Sequence, residues 1–153
     1  MSETQTALAQ SIPTPPLGMR APKSRALPVI LLLEDEELVR EAAADILEFE
    51  GYRVFRARNA YEARTAFHRY GELVQLLITD VVLPGQNGLD FARELRSGCQ
   101  RLRVLFISGF AENTWTRRQH TAGEAHYLAK PFSAESLMRA VRTALLDLEE
   151  IAI

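Results

Sequence analysis

Cysteine is almost missing from these 153 residues: Cys99 stands alone, so no disulfide can form within the chain. A reducing, cytoplasmic location is therefore expected. Lysine is nearly as scarce, at Lys23 and Lys130 only, and arginine carries almost all the positive charge. No apolar stretch approaches the roughly 18 residues of a membrane span. The N-terminus also lacks the apolar segment of a secretory signal. The formal net charge of -2 speaks against a nucleic-acid binder, which usually carries a basic stripe. The hydrophobic content of 47% and charged content of 25% are those of an ordinary globular domain. The length suits one such domain with a tail. No internal repeat is present.

The apolar residues occur in short runs of two kinds. Five runs read as strands: 29–33, 53–57, 75–79, 103–107 and 125–128. The run Val29-Ile30-Leu31-Leu32-Leu33 is continuous, as burial on both faces of a parallel sheet requires. Between the runs lie helical patterns. Val39, Ala42, Ala43 and Ile46 predict one apolar face, with Gly51 as the helix cap. Asn59 with Glu62 reads as a capped start ahead of Ala63, Ala66, Phe67 and Tyr70, ending at Gly71. Gly88, Phe91, Ala92 and Leu95 mark a third helix, closed near Gly98. A weakly patterned helix is expected over 113–121. Ser133 caps the last one, which buries Leu137, Ala140, Val141, Ala144, Leu145 and Leu148.

Strands alternating with helices predict an α/β fold, a doubly wound five-stranded parallel sheet with strand order 2-1-3-4-5. Residues 1–27 contain Pro13, Pro15, Pro16 and Pro22 without periodicity and are expected to be a flexible leader. The folded domain is expected over 28–150, and 151–153 form a short tail.

Ligands of open α/β sheets collect beyond the carboxyl ends of the strands, and four of these strand ends are polar. Glu34 and Asp35 follow the first strand, Asp80 the third, Ser108 the fourth and Lys130 the fifth. Each has an ordinary explanation alone, as helix-start acids or turn chemistry. Their coincidence at neighbouring strand ends points to one site. Crowded carboxylates repel and call for a cation. Hard oxygen donors suit Mg²⁺, with Asp35 and Asp80 as direct ligands and Glu34 direct or through water. Asp80 is placed to accept a phosphoryl group. Lys130 would pair with one of its oxygens and Ser108 would donate to another.

The segments Val29-Ile30-Leu31-Leu32-Leu33-Glu34-Asp35-Glu36, Leu76-Leu77-Ile78-Thr79-Asp80-Val81-Val82-Leu83-Pro84-Gly85-Gln86-Asn87-Gly88, Val104-Leu105-Phe106-Ile107-Ser108-Gly109 and Tyr127-Leu128-Ala129-Lys130-Pro131-Phe132 resemble a response-regulator receiver domain. The resemblance implies the flavodoxin-like receiver fold and a phosphoacceptor role in two-component signalling or a phosphorelay. It implies Asp80 as phosphoacceptor, Glu34 and Asp35 as acidic Mg²⁺ residues, and the Val82 backbone carbonyl as a further ligand. It also implies Ser108 and Lys130 as phosphoryl contacts, Tyr127 as the aromatic that reorients with Ser108, and a cis peptide between Lys130 and Pro131. A histidine kinase or histidine phosphotransfer protein is the implied phosphodonor, and a downstream protein the output partner. Pairing of two copies through the fourth and fifth helices follows from family analogy. The stretch 108–112 is similar to receivers that accompany hybrid histidine kinases. Glu34 and Ser108 stand where many members have Asp and Thr, both common variants.

Two other readings compete. A haloacid-dehalogenase-type phosphatase also uses a strand-end Asp, but it needs a second acid two residues on, where this chain has Val82. A receiver-like scaffold would lack acceptor residues, and here all are present. The protein is thus expected to act by binding rather than as an enzyme, as a stand-alone regulator or a phosphoryl shuttle. Val82 and Phe110 would flank Asp80 without orienting water, which predicts a long-lived phosphoryl group. Trp115, Arg117 and Arg118 suit either packing or partner contact. His68, His120 and His126 show no metal-ligand spacing, and Cys99 reads as inert.

Overall fold

Five consecutive apolar residues make β1, Val29–Leu33, and four of the five are fully buried. The computed structural model describes residues 27–109 and 126–151. β1 lies second in the sheet. Its neighbours are β2 (Arg53–Ala57) on one side and β3 (Val74–Asp80) on the other, both parallel to it. β3 then pairs with β6 (Arg103–Ser108), and β6 with β7 (His126–Ala129). The order β2-β1-β3-β6-β7 is the expected one once a small hairpin is counted. That hairpin, β4 (Val82–Leu83) and β5 (Gln86–Asn87), follows Asp80 directly. Pro84 and Gly85 turn it, and the φ of +76° at Gly85 is one that glycine adopts without strain.

Helices cover both faces. α1 (Glu37–Phe49) and α4 (Ala134–Ile151) pack on the side of Ile30, Leu32, Leu76, Ile78, Leu105 and Ile107. α2 (Ala60–Tyr70) and α3 (Gly88–Gly98) cover the side of Leu31, Leu33, Leu77, Val104 and Phe106. The alternation of β1 and β3 residues between these two cores follows from the twofold period of a strand. The helix expected over 113–121, with Trp115, Arg117, Arg118 and His120, lies outside the described residues, as does Phe110.

The helix ends follow local chemistry. Beyond α1, the Gly51 amide donates to the Glu48 carbonyl at 2.9 Å and the Tyr52 amide to the Leu47 carbonyl at 3.1 Å. With Gly51 at φ +101°, this is a Schellman closure. Asn59 caps α2 by accepting from the Glu62 amide at 2.8 Å. Ser133 caps α4 by accepting from the Ser136 amide at 3.1 Å. Within α4, Leu137, Val141 and Ala144 are buried as expected and Met138 joins them.

Two details correct the reading of the sequence. α1 is rolled so that Ala43, Ala44 and Leu47 are buried while Ala42 is exposed. Gly71 ends α2 at a right-handed φ of -56°, so it closes the helix without the left-handed turn that usually selects glycine.

Candidate functional site

The ends of β1, β3, β6 and β7 lie side by side, and the register brings their polar residues together. Asp80 pairs in register with Ile107, and Ser108 with Ala129, one residue before Lys130. Glu34 follows directly on Leu33, which pairs with Thr79. Glu34, Asp80 and Ser108 are buried, at 1%, 5% and 1% relative exposure, whereas Asp35 is exposed. Three buried polar residues at one end of an otherwise apolar sheet need compensation for lost hydration.

Lys130 supplies most of it. Its Nζ lies 2.8 Å from Asp80 Oδ1 and 3.1 and 3.4 Å from the two Glu34 oxygens. One ammonium therefore serves two carboxylates. The Glu36 amide also donates to Glu34 Oε1 at 3.2 Å. Burial acts on Asp80 and Lys130 in opposite senses. Burial, together with the facing Glu34 carboxylate, pushes Asp80 up to about 8 against the pull of Lys130. Burial alone would lower Lys130, but the two carboxylates outweigh it and the ammonium is held above its ordinary value.

Two buried oxygens in this cluster have no hydrogen-bond partner among the described residues: Asp80 Oδ2 and Ser108 Oγ. Such orphans are rare in folded proteins and mark places built for something else. One carboxylate oxygen each from Glu34, Asp35 and Asp80 lies within 4.8 Å of the others. An all-oxygen, doubly or triply anionic donor set with one orphaned oxygen fits a hard divalent cation such as Mg²⁺. Val82, two residues past Asp80, opens β4 with its side chain 60% exposed. Tyr127 is half-buried on β7, its ring stacked on Phe106 at 5.5 Å, and burial pushes its phenol up to about 12. The Lys130–Pro131 peptide is cis.

Replacing Lys130 with Met is expected to leave two buried carboxylates facing each other uncompensated. In the absence of divalent cation the loss is about 3 kcal/mol, read as a lower urea midpoint, and Mg²⁺ should restore part of it. An unchanged midpoint would mean that the carboxylates do not depend on the ammonium.

Three supporting residues were not legible as site residues. Gly88, read from the sequence as part of the loop after Asp80 and of a helix face, lets α3 touch the backbone behind Asp80. A Cβ there would lie 1.9 Å from the Asp80 carbonyl oxygen, and the Gly88 amide donates to the Val81 carbonyl at 2.7 Å. The Thr79 hydroxyl donates to the Asp80 carbonyl at 3.1 Å. Arg40 Nη1 donates to the Glu34 carbonyl at 3.1 Å. Only the glycine beside a turn carried any signal in advance. His68 on α2 and His126 on β7 take no part in the acidic cluster, and Cys99 is half-buried at the end of α3.

Comparison with known proteins agrees with this geometry. Residues 30–142 match the family model for the response regulator receiver domain. Over 116 residues the chain is 34% identical to the sensor kinase CckA of Brucella abortus, covering 76% of this chain and 12% of that protein. Over 118 residues it is 35% identical to the aerobic respiration control protein ArcA of Escherichia coli K12, covering 77% of this chain and 48% of that one. The crystal structure of the receiver domain from the hybrid histidine kinase CckA superposes with a TM-score of 0.65 at 29% identity, covering 76% of this chain and 98% of the solved one. The chain thus spans half or less of the length of these two curated relatives. The fold, the strand-end cluster and the family match lead to one conclusion: this chain belongs to the response-regulator receiver domain family.

Proposed function

We propose that Asp80 is the phosphoacceptor of a two-component or phosphorelay system, with residues 28–150 as the receiver unit. The observation that carries this reading is the buried, unpartnered Asp80 Oδ2 beside an ammonium, two further carboxylates and an unpartnered hydroxyl. Glu34, Asp35, Asp80 and the Val82 backbone carbonyl would hold Mg²⁺. When bound, the ion offsets phosphoryl charge and favours an in-line approach.

The chain's own residues then account for the rest. Asp80 Oδ2 forms the new O–P bond as the P–N bond to the donor's histidine breaks, and the imidazole leaves with the electron pair. Lys130, already 2.8 Å from Asp80 Oδ1, pairs with one oxygen of the phosphoryl group. Ser108 turns its free hydroxyl to another. The new group adds roughly -1.5 to -2 charge, and drawing Ser108 inward leaves space into which Tyr127 rotates. A nearly complete switch needs about 5 kcal/mol of differential stabilisation, within reach of several charge-assisted hydrogen bonds.

The donor in this reading is a histidine kinase or a histidine phosphotransfer protein, and a downstream protein reads the altered surface. No described helix is long and apolar enough to cross a membrane, which supports a cytoplasmic setting. The exposed Val82 offers no acid to activate water, which argues against phosphatase turnover and for a slow loss of the phosphoryl group. The test is titration with beryllofluoride, a mimic of the phosphoryl group, followed by calorimetry. Tight binding is expected only with Mg²⁺ and only when Asp80 is intact. Absence of binding to the unaltered chain would overturn the reading.

A further inference from the structure

The face built from α1 and α4 carries a groove of about 700 Å³, lined by Asp45, Ile46, Phe49, Met138, Arg142 and neighbouring residues. It lies apart from the acidic cluster. Phe49 stands on its rim 91% exposed. An aromatic side chain left that far in water at the edge of a groove forgoes a large burial free energy unless something covers it.

What could cover it is indicated by where the chain enters. Leu27, the first described residue, lies over the end of α1: a Cβ on Gly51 would be 2.5 Å from Leu27 Cδ1. Gly51 is two residues from Phe49 and next to Glu50, both of which line the groove. The N-terminal segment therefore arrives at the groove's lip. The stretch of α4 that lines the groove, Ala134 to Thr143, is about 14 Å long at a helical rise of 1.5 Å per residue. An extended chain covers about 3.3 Å per residue, so the ten residues before Leu27 reach its full length with slack.

Charge and side-chain type fit as well. Residues 17–26 read Leu-Gly-Met-Arg-Ala-Pro-Lys-Ser-Arg-Ala, with three cations and no acid. The last turn of α1 has no basic residue; of the acids around Phe49, Asp45 and Glu48 share Arg56 at 3.3 and 2.8 Å and Glu50 pairs with Arg142. Cations are favoured at the carboxyl end of a helix. Arg139 and Arg142 on the opposite wall are already engaged, with Glu135 at 3.0 Å and Glu50 at 3.5 Å.

We propose that residues 17–26 of this same chain dock in the α1–α4 groove, with Leu17 or Met19 among its apolar lining and Arg20, Lys23 and Arg25 toward the carboxyl end of α1. The receiver would then carry its own occupant for that face, which any partner binding there must displace.

The test uses the full chain in both directions. In a Cys99→Ser background, a nitroxide is attached to Thr143→Cys and the amide signals of residues 17–26 are followed by NMR. Docking predicts that Leu17 and Met19 lose most of their intensity and recover it when Phe49→Ser is added. Conversely, Leu17→Ser with Met19→Ser should shift the amides of 45–50 and 134–143 while leaving β1 and β3 unchanged. Broadening that Phe49→Ser does not relieve would be mere tethered proximity and would overturn the proposal. Broadening transferred to a labelled, spin-free chain on mixing would assign the groove to a second copy instead. No response in either direction would leave the groove to a separate partner and likewise refute docking in cis.

Discussion

Asp80→Asn is expected to abolish acceptance of a phosphoryl group and, in metal-free buffer, to make the protein more stable than its parent. The first effect follows because the amide has no anionic oxygen to attack phosphorus. The second follows from the electrostatics of the site. Asp80 is held up to about 8 in the folded chain by burial and by Glu34, against about 3.9 when unfolded. The folded state thus binds the Asp80 proton more tightly than the unfolded state does. This group's contribution to stability is fully present below about pH 4 and is lost as pH rises through about 8. At pH 8 the parent carries a buried charge that the variant does not, which is worth about 2 kcal/mol or roughly 4–8 °C in thermal midpoint. At pH 4 the two should melt close together. Saturating Mg²⁺ should narrow the gap at pH 8, because binding stabilises only the chain that keeps its ligand. A variant less stable than its parent at every pH would show that Lys130 alone already compensates the Asp80 charge.

Gly88→Ala should be among the most damaging single-methyl additions in the described core. The new Cβ would sit 1.9 Å from the Asp80 carbonyl oxygen and 3.0 Å from its carbon and from the Val81 carbonyl oxygen. These are backbone atoms, so no side-chain rotation relieves the contact. Either α3 withdraws, breaking the 2.7 Å Gly88–Val81 hydrogen bond, or the Asp80 peptide shifts and carries the carboxylate with it. The expected cost is about 4 kcal/mol or more, read from chemical denaturation. Any folded fraction should bind beryllofluoride more weakly than the parent. Gly98→Ala, where an added Cβ meets nothing within 4 Å, is the control and should not destabilise the helix end. Equal stability of the two variants would contradict the close approach of α3 to the end of β3.

The sheet and its order were legible because buried parallel strands leave continuous apolar runs, and 29–33, 76–78 and 104–107 are such runs. The clustering of Glu34, Asp80, Ser108 and Lys130 was legible because each sits where such a run stops at a polar side chain. The face of α1 was not: in Glu41-Ala42-Ala43-Ala44 three successive alanines give periodicity no means of choosing. Packing on Ile30 and Leu32 selected Ala43 and Ala44. Asn59 was readable as a cap. Glu62, however, accepts from the Arg58 amide at 3.0 Å, one residue before the expected partner. The 82–87 hairpin went unread because two-residue strands are too short to show alternation.

What the sequence could not convey is distance. Lys130 was placed near Asp80 by its strand end, yet its equal engagement with Glu34 at 3.1 Å depends on a side-chain length that no pattern encodes. The roles of Gly88 and Arg40 are likewise contacts with backbone atoms, to which residue type is almost blind. The haloacid-dehalogenase reading finds no support in the geometry, because an exposed valine stands where its second acid would be.

The most direct measurement is to incubate the unaltered chain with a small phosphodonor and Mg²⁺, trap the product, and map the modified peptide. The account predicts one phosphoryl group per chain, borne by Asp80 and dependent on the metal. Modification elsewhere, steady multiple turnover of the donor, or no adduct at all would contradict it.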